Sequence, residues 1–136
     1  VLVILGLYVI GSIGSNSSSD SSTTSSESNV VADSSWVPAD FTVWPDDPDI
    51  AWRWAKGSEV NCTYSSSACW SALVIAKNGC NTSMYGEISL FDKSDVQIGY
   101  TNDTLSSVQP MQKSKFTFDT FNEEAESARL SKISCY

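Results

Sequence analysis

Histidine is absent from all 136 residues. Without an imidazole, neither a Ser-His-Asp nor a Cys-His nucleophile can be assembled, and every histidine-containing zinc site is excluded. Basic residues are scarce: eight Lys and Arg against sixteen Asp and Glu leave a formal net charge of −8 and a pI near 4.2. Phosphate backbones and anionic lipid surfaces repel such a chain, so neither nucleic acid nor a basic membrane-surface contact is expected. The four cysteines (Cys62, Cys69, Cys80 and Cys135) form no C-x-x-C pair, which leaves a thiolate zinc or redox motif without support. No apolar run reaches the roughly 20 residues of a membrane span, and no internal repeat is visible.

What is present divides the chain into three zones. Residues 1–11, "VLVILGLYVIG", are apolar apart from Tyr8 and two glycines. The chain opens on valine, and these residues are expected to be the C-terminal part of a transmembrane helix or signal-anchor. A buried strand, a cleaved signal peptide and a lipoprotein fit less well. The strand would have to pack across the segment that follows, no A-x-A site follows the run, and no cysteine stands close behind it. Residues 12–35 are half serine, with Asp20, Glu27 and Asp33 as the charges. Such a segment buries too little apolar surface to offset its ordering entropy, so a disordered tether is expected. Residues 36–136 hold all five tryptophans, all four cysteines and all eight basic residues, and are expected to form one folded domain.

Within that domain the hydrophobic period is that of strands. "CWSALVIAK" (69–77) is nearly continuous and apolar, which fits a central strand covered on both faces. "SMYGEISLFD" (83–92) alternates, with Met84, Ile88 and Leu90 on one face and Tyr85, Glu87 and Ser89 on the other. "VQIGYTND" supplies its partner through a Lys93-Ser94 turn, and "KFTFDTF" sets Phe116 and Phe118 on one face with Thr120. In "SARLSKISCY" Leu130 and Ile133 differ in parity, which predicts a bulge. Short strands with turns about every ten residues indicate an all-β, antiparallel sandwich of about six to seven strands. "NEEAESA" is too short for a stable helix and is read as a turn. An even cysteine count in a small acidic domain points to two disulfides and an oxidising compartment. Of the three possible pairings, Cys62–Cys69 across a polar turn with Cys80–Cys135 across the domain is preferred.

"ISLFD", a polar turn, "VQIGY" and then "VQPMQKSKFTFDTF" resemble the FxLYD-type domain of bacterial membrane-anchored surface proteins. The motif positions are Ile88, Leu90, Phe91 and Asp92, with Ile88 in place of the first Phe and Phe91 in place of the Tyr. The family's Pro-Gly-Gln is represented by Pro110-Met111-Gln112. The resemblance spans about residues 69–135 and implies an immunoglobulin-like sandwich held outside the membrane, with no catalytic residues. The motif also has a structural explanation: Leu90 faces the core and Asp92 opens an Asx-type turn.

Candidate sites are few. Asp46, Asp47 and Asp49 in "WPDDPD" could offer oxygen ligands to calcium. Their spacing is not D-x-D-x-D-G, and Pro45 and Pro48 suggest a solvated turn instead. Trp36, Trp44, Trp52 and Trp54, with Trp70, Phe41, Tyr64 and Tyr85, could form a recognition surface for a glycan or protein, or fill the core. Arg53 beside Trp54 offers a cation–π pair. The sequons at Asn61, Asn81 and Asn102 count only in a eukaryotic secretory route. Glu123 and Glu124 are expected on a turn without a cleft. No enzyme and no cofactor are expected. The expected function is that of a single-pass, membrane-anchored extracytoplasmic module with a protein or envelope partner. A carbohydrate-binding or calcium-dependent surface domain is the alternative.

Overall fold

The structure is a computed structural model and describes residues 33–62 and 65–136. The apolar opening at 1–11, residues 12–32 of the serine-rich segment, and Tyr64 lie outside the described residues. Seven strands are formed: β1 (Thr42–Trp44), β2 (Asp47–Trp54), β3 (Ala68–Ala76), β4 (Cys80–Phe91), β5 (Gln97–Val108), β6 (Lys113–Thr120) and β7 (Ser127–Cys135). They build two antiparallel sheets, ordered β1-β2-β3-β6 and β5-β4-β7. The sheets pack face to face as a β-sandwich. Among the described residues no helix is long and apolar enough to cross a membrane.

Between the sheets the alternating faces meet. From the first come Trp44, Ile50, Ala72, Val74, Phe116 and Phe118; from the second come Met84, Ile88, Leu90 and Ile133. Phe116 and Phe118 are fully buried and stack with centroids 5.6 Å apart. Gly86 lies directly over Phe116: a Cβ there would stand 2.9 Å from the ring, so the close approach of β4 requires glycine.

The continuous apolar character of β3 has its cause on the other side of the sheet. A segment at 36–41 folds across the outer face, where Phe41, Ala51, Leu73 and Ile75 form a second buried cluster joined by Trp36 and Val37. β3 is thus covered on both faces and reads as a buried strand in sequence.

Turn chemistry fixes the register. Asp92 Oδ1 accepts hydrogen bonds from the amides of Ser94 and Val96, at 2.8 and 3.0 Å. This closes the β4–β5 hairpin as an Asx-type turn. The parity break in β7 is a bulge: Glu87 pairs with Lys132 and Ile88 with Leu130, so Ser131 is extra. Its hydroxyl donates to the Glu87 carbonyl at 3.1 Å. The extra residue lets Leu130 and Ile133 both contribute to the core.

Gln109–Gln112 links β5 to β6 across the two sheets. The Gln112 amide donates to the Gln109 carbonyl at 3.2 Å, and Met111 has φ 62°. Proline second and a positive φ third is the type II pattern, which suits glycine at the third place. Met111→Gly is therefore expected to raise stability by about 1 kcal/mol in a denaturant melt, since left-handed backbone penalises a Cβ. An unchanged or lower midpoint would show that the exposed Met111 side chain contributes more than the backbone strain removes.

Candidate functional site

All four cysteines are bridged, Cys62 to Cys69 and Cys80 to Cys135, as the preferred pairing had it. The set of ligand atoms that gathers within 4.8 Å among the described residues is Cys62, Cys69 and Asp119. Both sulfurs are in a disulfide, so the set offers no thiolate to a metal.

The structure places Asp46, Asp47 and Asp49 on the β1–β2 hairpin. Asp47 Oδ1 accepts the Asp49 amide at 3.0 Å, and Asp49 Oδ2 accepts Asn78 Nδ2 at 3.1 Å. Among the described residues these three carboxylates do not gather within 4.8 Å. Asp47 and Asp49 serve as turn and inter-hairpin acceptors.

The tryptophans point inward. Trp44 is 7% exposed and lies in the central core, with Trp52 and Trp54 packed against it. Trp44 meets Trp52 edge-on at 6.4 Å, and Trp52 meets Trp54 edge-on at 5.4 Å. Trp36 packs on the outer cluster. Alternation along β2 explains the grouping: Ile50, Trp52 and Trp54 share the core face, while Ala51 and Arg53 take the other.

That alternation also decides the partner of Arg53. Its guanidinium lies 5.3 Å from the Phe41 ring centroid, on the face opposite Trp54. Nη1 and Nη2 donate to the two carboxylate oxygens of Glu59 at 2.8 and 2.7 Å, a bidentate fork. Nε lies 2.9 Å from Asp40 Oδ2, off the direction of its N–H, as an ion contact only. Lys115 Nζ donates to the Glu59 carbonyl at 3.1 Å, which fastens the short 3-10 turn Gly57–Glu59 to the sheet. Sequence reasoning missed this cluster because Asp40, Arg53, Glu59 and Lys115 share no spacing signal.

The Arg53 fork and the Lys56 amide hold the Glu59 carboxyl down from its ordinary 4.5 to about 2. A depressed carboxyl contributes stability above its ordinary pKa and loses it as pH falls through the folded value. Stability is therefore expected to fall between pH 4.5 and 2, and Glu59→Gln is expected to flatten that part of the profile. Thermal melts across the range check this; parallel profiles for parent and variant would assign the acid loss to other carboxylates.

One expectation is corrected. Glu123 and Glu124 lie on the turn between β6 and β7, but a cleft is present. With Glu126 they face Asp92, Lys93 and Ser94 of the β4–β5 turn across a depression of about 310 Å³. The Glu126 amide, donating to the Phe91 carbonyl at 2.8 Å, brings the two turns together.

Among the described residues the aromatic side chains that stay in solvent are Tyr100 at 64%, Phe121 at 73% and Tyr136 at 62%. Tyr100 immediately precedes Thr101, and Phe121 follows Asp119 by two residues, where β5 meets β6 through side chains. Thr101 Oγ1 donates to the Asp119 carbonyl at 2.9 Å, and the Thr117 amide donates to Asp103 Oδ2 at 2.8 Å. These bonds occupy the open edge of β6. The edge of β7 carries the Ser131 bulge with Arg129 and Lys132, features that discourage strand addition. Comparison with known proteins finds no matching family model, no similar curated protein and no similar solved structure.

Proposed function

We propose that the chain is an extracytoplasmic, immunoglobulin-like module, anchored in the membrane through residues 1–11 and tethered by residues 12–35, that binds an envelope protein. It catalyses nothing. The two disulfides support the oxidising compartment. The observation that carries the binding role is the contrast between four packed tryptophans and the outward aromatics Tyr100, Phe121 and Tyr136, of which Tyr100 and Phe121 lie close in sequence to residues of the β5–β6 seam. Exposed aromatics of this kind are what protein interfaces use as anchors. The blunted edges of β6 and β7 argue against strand addition at those two strands. The glycan and calcium alternative drew on the tryptophans and on Asp46, Asp47 and Asp49, and their placement gives it no support.

Crosslinking in intact cells, followed by identification of the partner, tests the proposal. Phe121→Ser with Tyr100→Ser is expected to abolish a crosslink that the parent forms, without changing the melting midpoint. A crosslink that survives the double substitution, or a domain found only in the cytoplasm with free thiols, would overturn it.

A further inference from the structure

Three residues connect β3 to β4: Lys77, Asn78 and Gly79. Gly79 has φ +71°, and a Cβ there would stand 2.6 Å from the Val108 carbonyl oxygen, so only glycine fits. The turn therefore requires the glycine that follows Asn78, and Asn78-Gly79 is the one Asn-Gly pair in the sequence. Asn78 is exposed at the tip, and the Gly79 amide closes the turn through a long 3.2 Å bond to the Ala76 carbonyl. Every other asparagine precedes a residue whose side chain shields the next main-chain nitrogen: Ser17, Val30, Cys62, Thr82, Asp103 or Glu123.

We propose that Asn78 is a self-modification site, converting without an enzyme to aspartate and isoaspartate. The Gly79 main-chain nitrogen gives up its proton to solvent and attacks Cγ of Asn78. The Cγ–Nδ2 bond breaks, and ammonia leaves with a proton returned by solvent. The resulting five-membered imide is opened by one water molecule. Opening at one carbonyl leaves an aspartate at position 78, and opening at the other leaves the isoaspartyl isomer. The net change is one amide and one water to one carboxylate and ammonium, with no redox partner.

The site matters because of what Asn78 holds. Its Nδ2 donates to Asp49 Oδ2 at 3.1 Å, tying the β3–β4 turn to β2. After conversion that donor becomes a second carboxylate facing Asp49, and attraction turns to repulsion. The isoaspartyl form also adds a methylene to the main chain immediately before Gly79, which lies against the Val108 carbonyl and Pro110, and before the bridged Cys80.

The full, disulfide-intact chain incubated in heavy-oxygen water at neutral and mildly alkaline pH provides the test. Expected are two acidic isomers, aspartyl and isoaspartyl, both heavier by about 1 Da before isotope labelling and one charge more negative. Peptide mapping should place the solvent oxygen at position 78, with faster formation at the higher pH and none in Asn78→Gln. The isolated acidic species should melt below the parent, and Asn78→Asp should reproduce the charge part of that drop. A folded chain that stays a single species while the reduced, denatured chain converts would overturn the proposal, as would label at another asparagine. An acidic species that melts with the parent would overturn the structural consequence.

Discussion

Replacing Cys80 and Cys135 together by alanine is expected to cost about 4 kcal/mol, against about 2.5 kcal/mol for the Cys62 and Cys69 pair, because the longer loop restricts the unfolded chain more. The separations are 55 and 7 residues. The pairs also differ in what they join. Cys80 is 2% exposed at the start of β4, and Cys135 ends the neighbouring β7, where main-chain bonds between Ser83 and Tyr136 continue the pairing. Cys62 lies outside the strands and is exposed. Denaturant melts of the two double variants check the order. Equal losses, or a larger one for Cys62 and Cys69, would mean that native-state contacts and not loop length set the contribution.

Phe116→Ala is expected to destabilise by about 3–5 kcal/mol, the range for emptying a fully buried aromatic site. The contact with Gly86 makes the prediction sharper. Gly86→Ala alone should also destabilise, since its Cβ would press on the Phe116 ring at 2.9 Å. In the Phe116→Ala background the same methyl enters vacated space, so Gly86→Ala should cost far less. The two losses should therefore be strongly non-additive, with a coupling of about 1 kcal/mol or more. Additive losses in melts of the three variants would show that β4 yields and that Gly86 does not depend on the ring.

Much of the sandwich was legible in the chain because period and turn chemistry are local. Met84, Ile88 and Leu90 alternate into the core, Asp92 closes its own turn, and the parity of Leu130 and Ile133 gives the bulge away. The covering of β3 was legible only as a demand: its apolar run requires something on the outer face, but nothing local names Trp36, Val37 and Phe41 as the cover. The direction of the tryptophans followed from alternation, yet which face of β2 is inward depends on the second sheet. The Arg53 fork to Glu59, the bonds of Thr101 and Asp103 to the β6 main chain, and the meeting of two turns through the Glu126 amide and the Phe91 carbonyl rest on single polar contacts. They leave no period to read.

The Cys80–Cys135 bridge also governs how the domain would carry tension. A pull on the C-terminal residue passes through Cys135 directly into Cys80, and the chain between them bears no load. A pull from the N-terminal side enters at the segment over the outer face and then at β1, a strand of only three residues at a sheet edge. Those contacts can peel one at a time before force reaches the β2–β3 ladder. The domain would thus lengthen from its N-terminal side, while β4 to β7 remain a loop that cannot be drawn out until the sulfur bridge is broken.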